Sequence, residues 1–141
     1  MGKFISKDWV VKVNNVDLSD HAFNIDAPQT KDQVDVSGFN AAGTKEFLPG
    51  TEDATITVQF LQDFASNKVH QTLQPLYDSG SSFPILIQPL SAAGTSSTNP
   101  TLSGTANLFT YNGAAATLNQ RGEITAEFKP AANSRFAWAT A

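Results

Sequence analysis

The strict two-residue alternation of Ala54 to Leu61 constrains this chain most. Ile56, Val58 and Phe60 point one way, and Thr55, Thr57 and Gln59 the other. A strand reads like this when one face is buried and the other meets water or a partner. The pattern recurs. Trp9, Val11 and Val13 alternate with Val10 and Lys12, and Phe23 and Ile25 with Asn24 and Asp26. Val34 and Val36 share a face in Gln33 to Ser37. Phe83, Ile85 and Ile87 share one in the Pro-flanked stretch before Leu90. Ile124, Ala126 and Phe128 alternate with Glu123, Thr125, Glu127 and Lys129. Thr101 to Tyr111 is a weaker strand region with Leu108, Phe109 and Tyr111.

Turn chemistry divides these runs. Asn14-Asn15 suits the positive φ angles of a type I′ hairpin, and Asn112-Gly113 is a second turn signal. Pro84 and Pro89 imply an edge strand or protected strand ends. Only residues 66–79 carry a helical stripe, with Val69, Leu73, Leu76 and Tyr77 at i, i+4, i+7 and i+8. Ser66 or Asn67 is the expected N-cap and Gly80 the C-cap; Pro75 predicts a kink or an end near Gln74. The sum is a mainly β protein, two packed antiparallel sheets in a sandwich or barrel, with one α-helix near 66–79. At 141 residues, one domain spanning 1–141 is expected.

Between Ser37 and Asp53 the alternation stops, and Gly38 to Asp53 reads as a long inter-strand loop bearing Phe39, Phe47 and Leu48. Loops of that length are usually functional or disordered. The tail from Ala131 to Ala141 carries Phe136 and Trp138, aromatics that point to docking on its own sheet or on a neighbour.

Chemistry is thin. The absence of cysteine excludes disulfides, thiolate metal sites and cysteine nucleophiles. His21 follows Asp17 and Asp20, which is better read as a polar turn than as a metal site short of ligands. His70 reads as a solvated helix residue, and Glu52-Asp53 as solvated charge. No phosphate-binding glycine loop and no nucleophile elbow are present. The expectation is no enzyme, no cofactor and no metal. Thirteen acidic against nine basic residues, with no basic run, leave no nucleic-acid footprint. No stretch is apolar enough to span a membrane, and the start lacks a signal peptide's apolar region. Gly2 and Ser6 match a myristoylation pattern too short to weigh.

The order of phrases adds a resemblance. WVVKVNNVDLSDH, DQVDVSGF, KEFLPGTEDATITVQFLQDF, LQPLYDSG, ILIQP and TNPTLSGTANL run from about Asp8 to Phe128. The chain resembles the major tail tube proteins of siphophages, the long non-contractile-tailed bacteriophages, especially those of Gram-positive hosts. That resemblance implies hexameric rings stacked into a tube whose lumen passes DNA, in a virion assembled in the host cytoplasm. The implied partners are further copies of the chain, the tape measure, the tail terminator and the distal tail protein. The implied bridges between rings are the loop Gly38 to Asp53, the N-terminal arm Met1 to Lys7 and the C-terminal arm Ala131 to Ala141. Phe39, Phe47, Leu48, Phe136 and Trp138 are the candidate inter-subunit contacts. An acidic or polar wall would repel phosphates and keep passage smooth. Its candidates are Gln33, Asp35, Thr55, Thr57 and Gln59, with Glu123 and Glu127 as a second set. The rivals are a related ring former, such as a type VI secretion tube, a contractile-tail tube or a tail terminator, and a β-sandwich carbohydrate-binding module.

Overall fold

The computed structural model describes residues 8–89, 94–97 and 99–140. The myristoylation pattern and the N-terminal arm lie outside them. Along the described residues run β1 (Val10–Val13), β2 (Val16–Asp17), β3 (Ala22–Asp26), β4 (Gln29–Asp35), β5 (Phe47–Ala54), β6 (Ile56–Leu61), α1 (Val69–Ser79), β7 (Phe83–Gln88), β8 (Thr101–Tyr111), β9 (Glu123–Pro130) and β10 (Ala137–Ala139). The mainly β class, the two antiparallel sheets and the single helix agree with the sequence pattern. The sheets are unequal. One runs β2-β1-β7-β8-β9-β6-β3 with β10 added to β8, and the other is the β4-β5 pair alone.

The large sheet has to curl. β2 and β3 stand at its opposite ends, yet only Leu18 to His21 joins them. Such a short link closes the sheet into a barrel-like shape with an unpaired seam. Ser19 and His21 stitch the seam: Ser19 Oγ accepts from Val11 N at 3.0 Å, and His21 O accepts from Leu61 N at 2.6 Å. The alternating apolar residues fill the inside, where Ile56, Phe60, Phe83, Ile85, Ile87 and Phe128 are all buried. Phe83 and Phe128 meet edge to face, 5.8 Å between centroids.

Local chemistry sets the connections. Asn14 and Asn15 take φ of 52° and 66°, the expected type I′ turn. In α1, Val69 and Leu73 are buried, and Gly80 closes the helix at φ 66°, its N–H donating to Leu76 O. The N-cap is Lys68, with no side-chain cap, not Ser66 or Asn67. The helix runs through Pro75 to Ser79. Gln71, whose carbonyl Pro75 cannot satisfy, is exposed, so water can take that bond.

Three expectations are corrected. β7 is a central strand between β1 and β8, not an edge. The β1 ladder ends at the Val13–Ile85 pair, so Pro84 lies beyond it and disrupts no β1–β7 ladder pair. Asn112-Gly113 makes no tight hairpin, because the connection from β8 to β9 runs from Asn112 to Gly122. The Tyr111 ring lies over Gly113, where a Cβ would stand 2.7 Å from it. Finally, Gly38 to Asp53 is not all loop. Phe47 to Ala54 is strand β5, paired with β4 through Val34–Leu48, Asp35–Phe47 and Gln33–Pro49.

Candidate functional site

The polar face of β6 and β9 forms a continuous wall. Thr57 stands opposite Glu127, Gln59 opposite Thr125 and Leu61 opposite Glu123. Side chains alternate across a strand, so Thr55, Thr57, Gln59, Glu123 and Glu127 share one outer face. The two candidate sets thus merge in part. Gln33 and Asp35 do not join them, because β4 pairs only with β5 and carries them away on the small sheet. β3 extends the wall, with Asn24 Nδ2 donating to Gln59 Oε1 at 2.9 Å and Asp26 opposite Thr57. The charge balance is acidic. Arg121 is paired with Glu123 at 2.6 Å, and the Lys129 ammonium is held by Asp53 at 3.2 Å and Thr55 Oγ1 at 2.9 Å. Glu127 has no ion-pair partner among the described residues.

The β4-β5 hairpin is the wall's continuation turned loose. β3 leads into β4, and β5 into β6, so a two-stranded ribbon leaves the sheet at Ala27-Pro28 and Thr55. One backbone bond bridges the joint, from Thr55 N to Pro28 O at 3.3 Å. Every residue of β4 is exposed, and in β5 only Ala54 is buried and Glu52 half-buried. Val34, Val36 and Leu48 project on one face, Phe47 on the other, and Phe39 stands fully exposed in the turn. The turn is ordered by its own polar groups: Asn40 Nδ2 donates to Thr44 O at 2.8 Å, and Ser37 Oγ accepts from Glu46 N at 2.7 Å. The arm thus exposes apolar side chains on both faces and in its turn.

The C-terminal segment docks on its own sheet. Trp138 pairs with Leu102 through β10 and remains half-exposed. Phe136, expected as an inter-subunit contact, is corrected: it is 1% exposed and part of the core. It fits because residue 104 is glycine, where a Cβ would stand 2.8 Å from Phe136 Cδ1 and 2.9 Å from Arg135 O. Trp138 belongs to a row across four strands, Val11–Ile87–Leu102–Trp138. With Trp9, Phe23 and Ile25, and with Ser19 and Asn24 among the polar residues, that row lines an open mouth of about 530 Å³ at the seam.

Asp53 is solvated as expected and Glu52 is half-buried, and each is ion-paired. Glu52 pairs with Arg135 at 3.1 Å and Asp53 with Lys129 at 3.2 Å. An exposed pair contributes roughly 0.2–1 kcal/mol, too little to hold a fold but enough to bias an arm held by little else.

The histidines are structural. His21 Nε2 lies 2.9 Å from Asp63 Oδ2. The Ala65 N–H and then His21 hold the Asp63 carboxyl below its usual range. Ser19 Oγ donates to Asp17 and accepts from the Val11 N–H, which ties the polar turn to β1. His70, read as solvated, instead meets the Tyr111 hydroxyl at 2.9 Å and the Phe64 ring at 5.0 Å. Gln62 Nε2 donates to the same hydroxyl at 3.1 Å. Burial pushes the Tyr111 phenol up. No cluster of three metal-ligating side chains exists among the described residues. No helix among them is long and apolar enough to cross a membrane.

No protein-family model and no curated protein matches the chain. Solved structures share its fold. A chain from the virion of a native gene transfer agent particle superposes with a TM-score of 0.73 at 15% identity, over 96% of this chain and 99% of that one. A chain from the tail of an empty gene transfer agent particle of C6 symmetry gives 0.72 at 15% identity, over 96% and 99%. A chain from the extended sheath–tube complex of the PVC extracellular contractile injection system gives 0.69 at 15% identity, over 99% and 93%. At such identities the likeness is one of fold.

Proposed function

We propose that this chain is the repeating subunit of a phage-type tail tube, forming hexameric rings that stack around a DNA-conducting lumen. The observation that carries the reading is the near end-to-end likeness to a chain of a C6-symmetric tail. The geometry supports it from two sides. A heterologous contact that closes into a ring, and a second one that does not close, together generate a tube. The unpaired edges of β2 and β3 can extend the sheet into a neighbour, and the hairpin can reach another ring. Phe39, Phe47, Leu48 and Trp138 are the exposed contacts in this reading.

The wall of Thr55, Thr57, Gln59, Glu123 and Glu127 is the proposed lumen surface. Its one lysine is already neutralised by Asp53, so passing phosphates would meet no free cation on β6 or β9. The role is structural, in a virion built inside the host, alongside a tape measure, a terminator and a distal tail protein. The siphophage tube is the favoured form. The likeness to the sheath–tube complex of a contractile system supports a contractile-type tube as the second reading.

Electron microscopy of concentrated, seeded protein tests the proposal. Six-fold tubes are expected, and a strict monomer under those conditions contradicts it. Glu127→Lys should leave tubes intact while slowing DNA ejection. Unchanged ejection kinetics would remove β9 from the lumen.

A further inference from the structure

We propose that the root of the hairpin carries a charged clasp that sets the arm's angle in the free subunit. The inference rests on the hairpin being the reaching arm. The ribbon bends where it leaves the sheet, and beyond the bend almost nothing touches it. An arm held only by a two-residue joint would swing, and each docking event would have to stop that motion. The residues at the joint provide restraint.

Glu52 and Asp53 are consecutive on β5, so they project on opposite faces of the ribbon. Each face is gripped by one cation of the body. Lys129, on β9, holds Asp53 at 3.2 Å and reaches Thr55 Oγ1 at 2.9 Å, on the near side of the joint. Arg135, just before β10, holds Glu52 at 3.1 Å. Gln29, the first residue of β4, completes the second grip. Its amide donates to Glu52 Oε1 and to Phe136 O, both at 3.3 Å.

Phe136 makes that grip rigid. Its ring is buried against Gly104, so the carbonyl held by Gln29 belongs to a firmly seated residue. Core, Phe136 carbonyl, Gln29, Glu52 and Arg135 form one chain of contacts. Two opposed grips resist swinging in both directions, which a single pair could not do. Salt weakens exposed pairs, with a screening length of only about 3 Å at 1 M. The clasp therefore predicts an arm that is stiff at low salt and loose at high salt.

The chain has no cysteine, so paired spin labels can be placed freely. Labels at Ala41→Cys in the hairpin turn and Thr105→Cys on β8 report the arm's angle in monomer, whether or not tubes form. A narrow distance distribution is expected at low salt. It should broaden at least twofold in 1 M salt and in Glu52→Gln/Asp53→Asn. The exchange Glu52→Arg with Arg135→Glu should be narrower than Glu52→Arg alone. In assembly, the neutralised double variant should need about three- to tenfold more protein to form tubes, the scale of two exposed pairs. Equal widths in parent, high salt and double variant overturn the clasp, as does a parent already broad at low salt. Failure of the unlabelled parent to form tubes would count against the tube reading and leave the distance result standing.

Discussion

β6, at the heart of the wall, and the hairpin of β4 and β5 come from neighbouring stretches of chain and meet opposite fates. Beneath the wall, Ile56, Val58 and Phe60 are buried. In the hairpin, Val34 and Val36 alternate just as well and face water, as does Leu48 paired across from Val34. Burying a side chain of this size is worth about 1.5–3 kcal/mol, which the wall realises within the subunit and the hairpin does not. Alternation states that one face of a strand is apolar. Whether the chain itself covers that face depends on where the ribbon leaves the sheet.

Substitutions can break this contrast, the largest effect first. Phe128→Ala opens a cavity under the wall beside Phe83 and should cost about 3–5 kcal/mol in denaturant unfolding of the monomer. Gly104→Ala drives a methyl against Phe136 and the Arg135 carbonyl, with an expected loss of about 1–3 kcal/mol by the same measurement. Val34→Ser with Leu48→Ser should change monomer stability by less than about 0.5 kcal/mol per site, as at exposed positions generally. The same pair should raise the concentration needed for tubes at least tenfold. A large loss of monomer stability would show that the hairpin is part of the core after all.

The smallest effect concerns acid. Asp17 is held below its ordinary 3.8, chiefly by the Ser19 hydroxyl, which also stitches the seam. A depressed carboxylate stabilises the folded chain above its unfolded pKa and loses that contribution as pH falls through the folded one. The group is mostly exposed, so Asp17→Asn should cost no more than about 0.5 kcal/mol at pH 7 after allowance for solvent screening. The gap to the parent should close below pH 3.8, which a pH series of unfolding curves measures.

Much of the barrel was legible because its signals are local. The Asn14-Asn15 turn, the Phe83, Ile85 and Ile87 face and the Gly80 cap need only neighbours in sequence to be read. β5 was hidden because Pro49 and Gly50 interrupt its pattern and its pairing partner β4 lies beyond the long turn of residues 36–46. Phe23 was read as alternating with Asn24, but a bulge between Ala22 and Asn24 turns it toward Arg121, 4.4 Å from its ring. Phe136 looked like a sticky terminus because nothing near it names Gly104 as its seat, 32 positions earlier. Thr55, Thr57 and Gln59 were legible as one strand face and Glu123 and Glu127 as another; only the register of β6 with β9 joins them, and it leaves out Gln33 and Asp35. The grips at Glu52 and Asp53 were invisible, since their cations lie 83 and 76 positions away respectively.

Hydrogen exchange on free subunit and assembled tube addresses the difference between wall and hairpin most directly. In the monomer, amides of Gln29 to Ala54 should exchange at least tenfold faster than those of Ile56 to Leu61. In tubes, the hairpin should gain protection until the two are comparable, while β6 changes little. Hairpin amides that exchange equally fast before and after assembly would contradict the account.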